Sequence, residues 1–326
     1  MNKKTIEIKE RNLALEAVRV TEAAALSASS WIGLGEEKKA DAAAVKAMRE
    51  SLNALDIDGE VVIGEGERDK APMLYIGEKV GTQKGPRVDI ALDPLEGTTI
   101  CATGGNNALT VIAFSEKGGF LNAPDVYMEK ISANVQSNQV ISLQQNLKSN
   151  IEELAKFKKV NVEDLVICIL DRERHQEYLE VIRSTGARIK MIGDGDVSAV
   201  ISSVIQTSNI DMYYGIGGAP EGVLAAAALQ CIGGSIEGKL LFNNEDEIQR
   251  AKKTGINDLN KIYSIQDLAK GDIMFSATGV TDGTMLKGIK ITKDYAETHS
   301  IVMRSKTGTI RHINGEHNFN IKQLEY

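Results

Sequence analysis

The sequence predicts an α/β protein with an α+β N-terminal part. Three observations carry that expectation. Two helical segments open the chain, short apolar runs follow one another between residues 61 and 114, and strand and helix patterns alternate between residues 165 and 231.

The opening helices rest on periodicity. Leu13, Ala17, Val20, Ala24 and Ile32 fall near helical spacing over 11–32, and Ala43, Ala47, Leu52 and Leu55 do so over 39–55. Val61-Val62-Ile63, Val88 to Leu92 and Ala108 to Phe114 then read as strands separated by loops, which predicts helices packed on a sheet of mostly adjacent strands. Further on, Leu165 to Leu170, Ala187 to Ile192 and Asp211 to Ile216 read as strands, with helices over 173–184, 197–206 and 220–231. That β-α-β-α-β order predicts a largely parallel sheet. The polar stretch 144–164 is the expected join between an N-terminal helices-on-sheet domain, 1–150, and a C-terminal α/β domain, 151–326.

Composition narrows the function classes. The 326 residues hold 38 Lys and Arg against 45 Asp and Glu, a net charge of −7. That balance argues against phosphate-backbone binding, and 5% aromatic residues with one Trp argue against a base-stacking platform, so no nucleic-acid partner is expected. The longest apolar run, Val223 to Leu229, is far short of the about 20 residues of a membrane span. Cys101, Cys168 and Cys231 form no CxxC pair, and no apolar run follows Lys3 and Lys4, so a cytoplasmic protein with reduced thiols is expected.

The acids carry the chemistry. Asp93-Pro94-Leu95-Glu96-Gly97-Thr98 follows the strand ending at Leu92, where ligand sites of open sheets gather. A turn at Pro94 would aim Asp93 and Glu96 at one point, where they repel unless a cation lies between them, and hard divalent ions suit such oxygen donors. An Asp turn followed by a helix cap explains the same letters. Gly64-Glu65-Gly66-Glu67-Arg68-Asp69 is a second acidic strand end, and Gly215 to Gly222, with Pro220 and Glu221, is a glycine-rich helix start suited to an anion. Asp194-Gly195-Asp196 reads as a sugar-hydroxyl acceptor pair or a helix cap. Arg172 and Arg174 read as a phosphate fork or as surface charge. Five successive expected strands thus end in acids or arginines.

The set resembles a known family. Asp93 to Thr98 is similar to the D-P-[LI]-[DE]-G-T signature of the lithium-sensitive, metal-dependent phosphomonoesterases. Val61 to Glu67, Ala71 to Gly77, Asn122 to Met128, Asp194 to Val197, Gly215 to Gly222 and Phe275 to Gly279 resemble the class II fructose-1,6-bisphosphatases. The resemblance implies a two-domain, layered α-β-α-β-α sugar-phosphatase fold and hydrolysis of the 1-phosphate of fructose 1,6-bisphosphate in gluconeogenesis, with sedoheptulose 1,7-bisphosphate as an alternative or second substrate. It implies two or three Mn²⁺ or Mg²⁺ ions on Asp41, Glu65, Asp93, Glu96 and Glu221, and a water oriented by Thr98 beside Glu65 or Asp41. It implies substrate contacts from Glu96-Gly97-Thr98, Tyr127, Arg172-Glu173-Arg174, Asp194-Gly195-Asp196 and Gly218, and a homodimer or homotetramer.

Two departures stand out. Glu37 occupies the place of a site lysine, with Lys38 and Lys39 as candidate substitutes, and Arg172-Glu173-Arg174 replaces the commoner Lys-Pro-Arg. The histidines are not expected to take part: His175 neighbours the arginines, and His299, His312 and His317 sit in a polar tail. Two competing readings remain: a non-catalytic sugar-phosphate sensor, motivated by Glu37, and an inositol-phosphate or nucleotide phosphatase.

Overall fold

A computed structural model describes residues 9–66, 73–136 and 140–321. In chain order come α1 (Lys9–Ser29), α2 (Glu37–Asn53), β1 (Asp58–Ile63), β2 (Lys79–Val80), β3 (Arg87–Glu96), α3 (Thr98–Thr103), β4 (Leu109–Ser115), β5 (Tyr127–Ala133), α4 (Leu147–Lys158) and β6 (Val166–Leu170). They are followed by α5 (Gln176–Thr185), β7 (Arg188–Ile192), α6 (Asp196–Ser202), β8 (Met212–Gly218), α7 (Ala219–Ile232), β9 (Ser235–Leu241), α8 (Glu245–Lys253) and β10 (Ile262–Ser264). The chain closes with α9 (Ile265–Leu268), β11 (Met274–Gly279), β12 (Lys290–Ile291), β13 (Tyr295–Arg304) and β14 (Thr309–Asn318).

Two sheets organise these elements. The first runs β12-β13-β11-β4-β3-β1-β2, with β14 also paired to β13; the second runs β10-β9-β5-β8-β6-β7. α1 and α2 cover one face of the first sheet, burying Ala17, Val20, Ala44, Met48 and Leu52 against Ile90, Leu92 and Ile112. α4 and α5 cover the outer face of the second, burying Ile151, Leu154, Leu179 and Ile182 against Ile131, Ile167 and Met212. Between the sheets lies α7. Its apolar run Val223–Leu229 is buried on every side against both sheets, the place for a helix with no polar face. The result is the α-β-α-β-α layering that the resemblance implies.

Four local outcomes differ from the sequence expectation. The second sheet is mixed: β6 pairs in parallel with β7 and β8, but β5 pairs antiparallel with β8 and β9, and β10 with β9. Strands also cross residue 150 in both directions, since β5 lies in the second sheet while β11 to β14 return to the first. The polar tail is a β-hairpin. Its His317 is buried, in hydrogen-bond reach of Thr298, whose hydroxyl also donates to Glu22 of α1.

The fourth difference shapes the cleft. Pro94 makes no turn, and β3 continues through Glu96. The pairing with β4 shifts between Asp93, opposite Val111, and Glu96, opposite Leu109, so β3 carries one extra residue there. A bulge accommodates Pro94, which has no N–H for the ladder.

Candidate active site

The strand ends converge on one cleft of about 430 Å³. Asp41 comes from α2, Glu65 from the loop after β1, and Asp93 and Glu96 from the bulged end of β3. Gly97 and Thr98 begin α3, and Tyr127 begins β5. Arg172 and Arg174 follow β6, Asp194 and Asp196 follow β7, and Gly218 and Glu221 join β8 to α7; all of these line the cleft. Of the expected site residues, Glu173 and Gly195 do not. Glu173 is exposed at the start of a 3-10 turn, and Gly195 is buried at the head of α6 with φ 85°. Glu67, Arg68, Asp69, Ala71 and Pro72 lie outside the described residues.

Each acid has a definite setting. Asp93 Oδ1 accepts from the Leu95 N–H at 2.9 Å, across the bulge. Glu96 Oε1 accepts from the Val197 N–H at 3.0 Å, so a carboxylate of the first sheet caps the first turn of α6. Asp194 Oδ1 accepts from the Gly195 N–H at 3.0 Å. Glu221 folds back beneath Gly218, where a Cβ would collide with its carboxylate. Its Oε2 is buried without a partner.

Burial first, and then the neighbouring carboxylates, hold Glu65, Asp93, Glu96 and Glu221 above the ordinary acid range. Burial raises Asp41 as well. Metal-free, the cleft is therefore an unfavourable place for negative charge. Oxygen-only donors and an orphaned buried carboxylate oxygen fit a hard divalent cation. Among the described residues, however, no three His, Cys, Asp or Glu side chains are gathered closely enough to hold a metal ion as they stand.

The other end of the cleft is cationic. Arg174 donates Nε and Nη2 to the Ile216 carbonyl at 3.2 and 2.7 Å, and its guanidinium lies 4.7 Å from the Tyr127 ring centre. Arg172 Nη1 donates to the carbonyls of Asp171 and Gly193. Beneath them His175 is fully buried. Its Nδ1 lies 2.7 Å from the Leu170 carbonyl, and its Nε2 accepts the Ile216 N–H at 2.9 Å. Those bonds define a neutral imidazole that ties the end of β6 to the end of β8, and burial holds its pKa below the usual value. His175 lies outside the cleft lining, as expected of a neighbour.

The departures in the first loop are also placed. Glu37 begins α2 and is exposed; burial raises the Asp194 pKa, and the Glu37 charge adds a small repulsion. Lys39 pairs with Glu36 at 3.1 Å and lies 5.5 Å from the Trp31 ring centre. Neither Lys38 nor Lys39 lines the cleft. Sequence reasoning missed Asp125, which lines the cleft, and Lys130, which is buried behind it. Asp125 stands in a recognised string; Lys130 had no local signal, because its partners come from α6 and β8.

The chain is similar to known proteins over nearly its whole length. Residues 11–317 match the family described as bacterial fructose-1,6-bisphosphatase, glpX-encoded. Relatives from Trichodesmium erythraeum, Synechococcus sp. (strain JA-3-3Ab) and Crocosphaera subtropica are each 40% identical. Each alignment covers 94% of this chain and 96% of the relative, and all three are named D-fructose 1,6-bisphosphatase class 2/sedoheptulose 1,7-bisphosphatase. Solved structures of the extragenic suppressor protein suhB from Bartonella henselae and of an inositol monophosphatase from Anabaena are each 15% identical, with TM-scores of 0.33. They cover 58% and 64% of this chain, and 71% and 75% of theirs. At those scores the structural likeness decides nothing. The family match defines the class of protein as a phosphatase. The chain belongs to the class 2 fructose-1,6-bisphosphatase family, the glpX-encoded bacterial type.

Proposed function

We propose that the chain hydrolyses the 1-phosphate of fructose 1,6-bisphosphate to fructose 6-phosphate. The observation that carries this reading is the gathering of Asp41, Glu65, Asp93, Glu96 and Glu221 with Thr98, Arg172 and Arg174 in one cleft. The five acids would hold two or three Mn²⁺ or Mg²⁺ ions. When bound, such ions polarise a phosphoryl oxygen and lower the pKa of water.

The chain's own groups supply the rest. Thr98, half-buried at the start of α3, would orient the attacking water, with Glu65 or Asp41 taking its proton. Arg172 and Arg174 would anchor the distal phosphate, Tyr127 backing the Arg174 guanidinium. Asp194 and Asp196 would accept from sugar hydroxyls. Binding at the distal end then positions the reacting phosphate.

The names of the relatives favour sedoheptulose 1,7-bisphosphate as a second substrate. A cytoplasmic homodimer or homotetramer completes the reading. Phosphate release with Mn²⁺ from fructose 1,6-bisphosphate, sedoheptulose 1,7-bisphosphate, inositol 1-phosphate and a nucleoside 3′-phosphate tests it. Preference for the two sugar bisphosphates is expected. Preference for either of the others would overturn it, and tight binding of the sugar bisphosphates without turnover would make the chain a sensor.

A further inference from the structure

Lys130 is a lysine in the interior of a sheet. It lies in the middle of β5, opposite Gly215 on one side and Gly238 on the other, and is 0% exposed. Its stem passes the first turn of α7 at Gly222, where a Cβ would approach Lys130 Cδ at 3.3 Å. Its ammonium ends behind the cleft wall. There Nζ donates to Asp196 Oδ2 and, at 2.9 Å, to the Gly218 carbonyl. The Tyr213 hydroxyl donates to the same Asp196 oxygen at 3.3 Å.

Burying an ammonium is costly unless it is paired and hydrogen-bonded. Here the pairing joins two separate wall segments, the head of α6 and the turn from β8 into α7. Both interior donors converge on Asp196 Oδ2, which leaves Oδ1 for a ligand. Gly217 supports the same arrangement, because a Cβ there would strike the Asp196 carboxylate and approach Lys130 Nζ at 3.0 Å.

We propose that Lys130 is a positioning residue for the sugar end of the cleft. It holds the Asp196 carboxylate and the Gly218 carbonyl at a fixed separation, as acceptors for substrate hydroxyls. The proposal rests on the bisphosphatase reading above and adds a residue to it. A residue that acted only on the phosphate-hydrolysing end would affect every phosphoester alike. Lys130 acts on recognition of the sugar.

The test compares kcat/KM for fructose 1,6-bisphosphate and for p-nitrophenyl phosphate, which has no sugar hydroxyls, in the wild type, Lys130→Met, Asp196→Asn and the double variant. The ratio of the two is expected to fall about tenfold or more in each single variant, chiefly through KM for the bisphosphate, as for one lost charge-assisted hydrogen bond. The double variant should fall no further than the worse single variant, because both act through one contact. An unchanged ratio, or losses that multiply in the double variant, would overturn the proposal. If Lys130→Met does not fold, the double variant, which removes both buried charges together, carries the same comparison: a lowered ratio supports the proposal and an unchanged one overturns it. Wild-type protein that releases no phosphate from fructose 1,6-bisphosphate would overturn the substrate reading itself, an outcome distinct from both.

Discussion

The Glu96 carboxylate, carried by the first sheet, accepts the Val197 N–H at the head of α6, 3.0 Å away. One side chain therefore caps a helix packed between the sheets and lines the acidic cleft. The two roles separate by substitution. Glu96→Gln keeps a carbonyl oxygen for Val197, so its melting temperature should stay within a few degrees of wild type while phosphate release falls by about a hundredfold or more. Glu96→Ala loses the cap as well and should be less stable than Glu96→Gln by about 1 kcal/mol. Thermal unfolding and phosphate release, measured on both variants, check this.

The acids make metal-free stability depend on pH. Burial and neighbouring carboxylates push Glu221 up to about 7, Asp93 to about 8 and Glu65 to about 9. A group whose folded pKa lies above its unfolded value holds its proton longer when folded, so stability falls as pH rises between the two. Chelator-treated protein should therefore lose melting temperature from about pH 5 to about pH 9. Mn²⁺ should flatten that slope and raise the melting temperature most at the alkaline end. A melting temperature that rises with pH in chelator would contradict the electrostatic account.

Burial raises the Asp194 pKa, and the exposed Glu37 adds a small repulsion to it. Glu37→Lys replaces the repulsion with an attraction for an anionic ligand. The site is exposed, so the gain is small: KM for fructose 1,6-bisphosphate should drop by less than about fivefold, and the difference should fade in high salt.

Arg174 is held by the Ile216 carbonyl and backed by the Tyr127 ring. Arg174→Lys loses the planar fork and the stacking, and KM for the bisphosphate should rise at least about tenfold. Tyr127→Phe keeps the ring and should have the smaller effect. Steady-state kinetics on both variants distinguish the platform from the hydroxyl.

Much of the site was legible because its residues sit at strand ends, where local sequence carries the signal. Glu65, Arg174, Asp194 and Glu221 each follow an apolar run that reads as a strand. β5 was not legible: Glu129 and Lys130 interrupt its apolar pattern, and their partners arrive from distant segments. Glu129 receives Tyr178 and Tyr214, and Lys130 holds Asp196. Pro94 misled in the other direction, since a bulge absorbs it without ending the strand. The outer strand of the C-terminal hairpin, β14, is mostly polar, and composition alone reads it as a tail.

On the proposed reading the cleft acids hold the cations that receive the reacting phosphate. This is tested most directly by phosphate release from fructose 1,6-bisphosphate, with Mn²⁺ and with chelator, by wild type, Asp93→Asn and Glu221→Gln. Wild type is expected to show turnover that chelator abolishes and Mn²⁺ restores, with rates in both variants lowered by about a hundredfold or more. Turnover that survives chelation, or variants as fast as wild type, would contradict it.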